Sequence, residues 1–193
     1  MQKVLAGAAA GALAAAPMAV AMKALQQTSP SARRRALPPR QITMALARRV
    51  GLASRLDGHA SNAATTAAHF GYGSAVGALY PYAKRVLPGP TVMKGALFGA
   101  GLWAGSYLGW LPATGVMRSA SRESTGRNAM MILAHVVWGV GTAVAVERLL
   151  ARRARSDGAD GADGFAREQR ADGPGSDGDA REELDDSRRG SDV

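Results

Sequence analysis

Three long apolar stretches divide the middle of this chain: Ala60–Ala83, Val92–Leu111 and Ala129–Val146. A bilayer core of roughly 30 Å takes about 20 helical residues to cross, and each stretch approaches that length. A fourth stretch, Val4–Val20, precedes them and reaches span length when extended to Leu25. The pattern predicts an all-α, polytopic membrane protein built as a four-helix transmembrane bundle. Its spans would fall at about 4–25, 60–83, 92–111 and 129–148, within a membrane domain over residues 1–150. Residues 151–193 would form a disordered charged tail, because they are Gly, Asp, Arg and Ser with almost no large apolar side chains. Such a segment cannot bury enough surface to offset its chain entropy.

Charge follows the same division. Residues 1–150 carry 16 of the 24 Lys+Arg and three acids, Asp57, Glu123 and Glu147, for a net +13. The remainder carries eight Arg and twelve acids, a net −4, which together give +9. The basic residues lie almost wholly between the apolar stretches, as charges flanking membrane spans do. Separate loops of arginine without interleaved aromatics exclude a nucleic-acid face, despite a pI near 10.8. With no cysteine, disulfide and thiolate chemistry are excluded.

The first stretch is rich in alanine, carries Pro17, and pairs Gly7 with Gly11 in a GxxxG spacing that lets helices approach closely. A cleaved signal peptide is the competing reading, with Lys3 as its basic start and Ala19-Val20-Ala21 as the cleavage site. The loop over 26–59 is basic. Pro38-Pro39 restrict Leu37 to extended geometry, and Ile42, Ala45, Leu46, Val50 and Ala53 then recur at helical spacing. This predicts a short interfacial helix whose arginines reach anionic headgroups. Arg33, Arg34, Arg35, Arg40 and Arg48 are the expected headgroup contacts. The alternative is a loop helix packed on the bundle.

Small residues also mark the later spans. Gly73 and Gly77 are four apart, and Gly101, Gly105 and Gly109 fall on one helical face. Both sets are expected to pack helices, within the chain or in a homo-oligomer.

Two spans carry a histidine. If the four spans alternate, the second and fourth run parallel from one face. His69 then lies about 14 Å and His135 about 9 Å below it at ~1.5 Å per residue. A histidine inside a span is a candidate functional residue, able to titrate near neutral pH. The structural alternative has each imidazole bridging to a neighbouring helix through Thr65, Thr66, Ser106, Tyr107 or Thr142. Glu147, beside Arg148, is read as an interfacial ion pair or as the exit of a proton path.

Several of these pieces occur together in one known family. The PPR of Pro38–Arg40, HFGYGSAVGALY from His69, KGALFGAGLWAGSYLGWLP in the third span and AHVVWG from Ala134 resemble the YagU-like family of bacterial inner-membrane proteins, a domain of unknown function. The resemblance covers roughly residues 4–150, with His135–Trp138 its most specific element. It implies a small multi-pass protein of the inner (plasma) membrane and no established reaction.

No P-loop, GxSxG, HExxH or paired-carboxylate motif is present. The sequence therefore predicts a non-enzymatic helix-packing or interaction protein, with no metal and no cofactor, partnered by the lipid bilayer. Two alternatives rest on His69 and His135: a proton-linked channel or transporter, and a haem-binding membrane protein with axial imidazoles. Eleven Lys+Arg around loops one and three, against eight in the N-terminus, loop two and the first part of the tail, favour those loops in the cytoplasm by the positive-inside rule.

Overall fold

The computed structural model describes residues 1–27 and 36–171, and every regular element among them is helical. Helix α1 runs Gln2–Gln27 and α2 runs Pro38–Arg49. Helix α3 spans Gly58–Gly77, followed by a single turn, α4, at Tyr80–Ala83. Helix α5 covers Thr91–Ala104, continues through a wide π-type turn at Gly105–Trp110, and meets the one-turn α6 at Leu111–Ala113. The last helix, α7, is Thr125–Ala171.

Local chemistry sets these boundaries. Pro38 and Pro39 occupy the first turn of α2, where a missing N–H costs nothing, and Leu37 is extended at φ −62° and ψ 147°. Asp57 caps α3 by accepting from the Ala60 N–H at 2.9 Å. Pro81 cannot donate to the Gly77 carbonyl, so α3 stops at Gly77 and restarts as α4.

The stretch Val92–Leu111, expected as one span, is not one uninterrupted helix. Pro112 cannot bond back to residue 108 and crowds its carbonyl. The helix relaxes into the wide turn, in which Gly109 leaves helical geometry at φ −103°, ψ −105°. By length and composition, two helices among the described residues can cross a membrane, α1 and the apolar part of α7. The polar Ser61, Asn62, Thr65, Thr66 and His69 dilute α3, and α5 has 14 residues before its turn.

Glycine contacts fix the helix directions. A Cβ added at Gly7 would lie 2.5 Å from the Gly77 carbonyl, and one at Gly11 would overlap the Gly73 carbonyl. Helix α1 is thus antiparallel to α3. Gly95 faces the Gly139 carbonyl and Gly99 the His135 carbonyl, so α5 is antiparallel to α7. Going up α3, Gly73 meets the Trp138 indole and Lys84 meets Glu147, so α3 and α7 run parallel.

The chain divides into units Met1–Leu150 and Ala151–Val193. Helix continues over 151–171, where the composition predicts the start of a disordered tail. Ala151, Ala154 and the nearby arginines are strong helix formers, and extension of a formed helix needs no core of its own. Residues 172–193 lie outside the described residues.

Gly77→Leu should lower thermal stability in detergent by about 1–3 kcal/mol or prevent folding, through overpacking against the Gly11 backbone. Gly101→Leu, with nothing within 4 Å of its added Cβ, should leave the circular-dichroism melt near wild type.

Candidate functional site

His69 comes 11 residues into α3 and His135 10 residues into α7. Parallel helices therefore hold them at nearly one level, and both line the same cavity of about 230 Å³. The wall is mostly apolar. Met18 and Met22 come from α1, Ile42 and Leu46 from α2, Leu111 from α6 and Trp138 from α7. Among the described residues no Asp, Glu, Lys or Arg faces it.

The two imidazoles differ in their bonding. His135 is 5% exposed, and its Nδ1 donates to the Met131 carbonyl at 2.7 Å within its own helix. That bond puts the proton on Nδ1 and leaves the Nε2 lone pair uncommitted. The edge of its ring stands against Tyr107 at 5.7 Å between centroids. His69 is half-buried and meets the edge of Phe70. Its Nε2 is buried with no partner at full hydrogen-bond geometry among the described residues, and its ring lies within reach of the Ala15 backbone of α1. The bond that His135 makes stays within α7, so it does not bridge helices. Thr65 and Thr142 likewise bond carbonyls of their own helices, Ser61 and Trp138.

An inter-helix bond comes from Trp138, which in the sequence stands out only as part of the family resemblance. Its Nε1 donates to the Gly11 carbonyl at 2.9 Å. Trp138 is 2% exposed and stacks on Phe98 at 5.7 Å, and Phe98 in turn meets the edge of Tyr80. Tyr72, which the sequence does not single out, pairs its hydroxyl at 3.2 Å on the cavity wall with Ser106, expected only as a partner for an imidazole. For Tyr72 the signal was its hydroxyl three residues after His69, close to one turn of the same helix.

The remaining candidates lie apart from the histidines. Glu147 sits 12 residues beyond His135, about 18 Å along the helix. Its partner is Lys84 at 2.7 Å, from the connection after α4, whereas the sequence pointed to Arg148 or the loop arginines. Gly73 and Gly77 lie in the α1 crossing. Gly101, Gly105 and Gly109 are exposed, and a Cβ added at any of them meets nothing within 4 Å. The wide turn also takes Gly109 off the line of the other two. Arg40 and Arg48 are exposed on α2 and border a groove of about 630 Å³ with Arg118 and Glu123. Arg49 donates to the Thr114 carbonyl, which ties α2 to the loop after α6. Arg33, Arg34 and Arg35 lie outside the described residues. Among the described residues no group of three His, Asp or Glu gathers in metal-binding proximity.

These features define a class: an all-helical bundle, closed by glycine contacts, with two histidines on one apolar cavity. The chain belongs to the family described as protein of unknown function (DUF1440), whose profile matches residues 24–144. That stretch takes in both histidines and Trp138 and stops before Glu147. No curated protein and no solved structure matches the chain.

Trp138→Phe keeps the ring but removes the bond to Gly11, and should cost about 0.5–1.5 kcal/mol of stability. Glu147→Gln, which breaks a partly exposed pair, should cost under about 1 kcal/mol. Thermal melts of the two variants in one detergent check the order.

Proposed function

We propose that this chain is a multi-pass protein of the bacterial inner membrane that acts by association within the bilayer and not by turning over a substrate. One observation carries the membrane reading: along much of α1 alanines point in and large apolar side chains point out, and a broad apolar surface continues outside the bundle. In α1, Ala6, Ala10, Ala14 and Ala15 are buried, while Leu5, Leu13 and Val20 are exposed. Leu79, Val92, Leu97, Leu108 and Leu133 continue the exposed apolar surface on the other helices. Water would disfavour that surface, whereas lipid solvates it and leaves helix association to close packing of small residues. The family match and the resemblance to YagU-like inner-membrane proteins agree with this reading.

In a four-span arrangement α3 with α4, and α5 with its wide turn and α6, supply the second and third crossings. Irregular backbone at that depth is tolerated where the protein surrounds it. Exposed Leu46, Val50 and Leu52 beside Arg40, Arg48 and Arg49 suit α2 to the headgroup level, its apolar side in the acyl boundary and its guanidinium groups on anionic lipid. Gly101 and Gly105, facing outward with open space above them, offer a close-approach surface for a second copy.

Proton-linked passage through His69 and His135 keeps the attraction that both line one cavity. The way from there toward Glu147, however, is filled by Trp138, Phe98 and Tyr80. Haem ligation is disfavoured by size. A cavity of about 230 Å³ is not far above the ~150 Å³ that accommodates benzene.

The chain should resist carbonate extraction from membranes and run as an oligomer by light scattering in mild detergent. Combined Gly101→Leu, Gly105→Leu and Gly109→Leu should yield folded monomer. Full extraction by carbonate would refute the membrane reading, and an unchanged oligomer in the triple variant would refute the glycine interface.

A further inference from the structure

The cavity beside the histidines has the features of a ligand site. Its mouth is marked by three large side chains that line it and are also exposed: Leu46 of α2 at 43%, Tyr72 of α3 at 43% and Trp110 of the wide turn at 40%. Tyr72 and Trp110 lean on one another at 6.5 Å across that opening. The opening is therefore built from three separate elements, two of them held by one aromatic contact.

The wall states what can enter. Lined without a charged side chain, it disfavours an ion, because the cost of stripping a charge of water would go uncompensated. Methionines, leucines and the rings of Tyr107 and Trp138 suit a flat apolar body. The volume fits one ring with a small substituent, by comparison with a benzene-sized cavity of about 150 Å³. Polar groups interrupt the wall: the Tyr72–Ser106 hydroxyl pair, the Thr43 and Tyr107 hydroxyls, the His135 imidazole and the His69 imidazole, whose ring lies near the Ala15 backbone and whose buried Nε2 has no partner at full hydrogen-bond geometry among the described residues. A buried polar atom left unpaired costs about 1–3 kcal/mol, which a ligand oxygen would recover. The wide turn itself brings Ser106, Tyr107 and Trp110 to the cavity, and π-type turns are frequent at functional sites.

We infer that this cavity is a binding site for a neutral, single-ring lipophile carrying a hydroxyl or carbonyl oxygen. The ring lies among Met22, Leu46, Trp110 and Trp138, and the oxygen is bonded by His69. The ligand enters between Leu46, Tyr72 and Trp110, the side from which a molecule dissolved in the bilayer would arrive. This site is independent of the glycine interface proposed above.

Full-length protein in phosphatidylcholine nanodiscs tests this by fluorine NMR with para-fluorophenol and para-fluorotoluene. Saturable broadening of para-fluorophenol beyond that in protein-free nanodiscs is expected. His69→Leu should weaken para-fluorophenol about tenfold, the worth of one hydrogen bond near 1.4 kcal/mol, and leave para-fluorotoluene unchanged. Thr43→Trp, which fills the cavity from α2, should abolish binding of both probes. Leu46→Trp at the mouth serves in its place if circular dichroism shows that Thr43→Trp misfolds. Non-saturable broadening overturns the site, as does unaltered binding in a folded, filled variant. An equal loss of both probes in His69→Leu overturns the assigned oxygen contact.

Discussion

The crossing of α1 on α3 sets the rest of the bundle. Gly7 and Gly11 meet Gly73 and Gly77 so closely that a Cβ at Gly7, Gly11 or Gly77 would strike backbone, and one at Gly73 would lie 3.0 Å from the Gly11 carbonyl. At that separation the Gly11 carbonyl comes within reach of the Trp138 indole, and the bond between them draws α7 onto the same seam. Gly95, Gly99 and Gly139 repeat the device between α5 and α7. Two helix pairs are thus each joined backbone to backbone, and one tryptophan joins the pairs. In a bilayer, where lipid competes for every apolar side chain, such contacts are the effective source of association.

The cavity is a consequence of the same seam. The glycines lie in the N-terminal half of α1 and the C-terminal half of α3. Around them the core is small: Ala10, Ala143 and Val146 beside Tyr80. Toward the other end the core residues become Met18, Met22, Tyr107, Leu111, Met131 and Trp138. Large side chains fill the bundle at that end, and α2 packs on α3. His69 stands one turn before Gly73, on the side of the larger residues, while the His135 carbonyl lies in the close contact with Gly99 and its ring turns to the cavity. Their shared cavity follows from glycine placement and needs no attraction between the imidazoles.

Much of this was legible in the sequence. The helical content, the start of α2 at Pro38-Pro39 and the matching level of the histidines all follow from local rules. The Gly7, Gly11, Gly73 and Gly77 spacings announce close packing, although not which helix meets which. The interruption of the third stretch was signalled by Pro112, but its wide turn depends on how the chain relaxes around one missing N–H. The partner of Glu147 was not legible. Arg148 is its neighbour in sequence, but successive residues of a helix point apart, and Lys84 is brought in only by the parallel alignment of α3 and α7. The outward direction of Gly101, Gly105 and Gly109 was equally hidden, because a glycine face reads alike whether its partner is within the chain or outside it.

The central claim is that α3 and α7 run parallel in one register, which brings His69 level with His135. The chain has no cysteine, so paired substitutions can be read without background. Lys84→Cys with Glu147→Cys, treated in native membranes with a short bismaleimide, should give an intramolecular cross-link. Lys84→Cys with Arg127→Cys, one beyond the end of α3 and α4 and the other at the start of α7, should give none. Cross-linking of the second pair and not the first would contradict the parallel arrangement and the shared cavity with it.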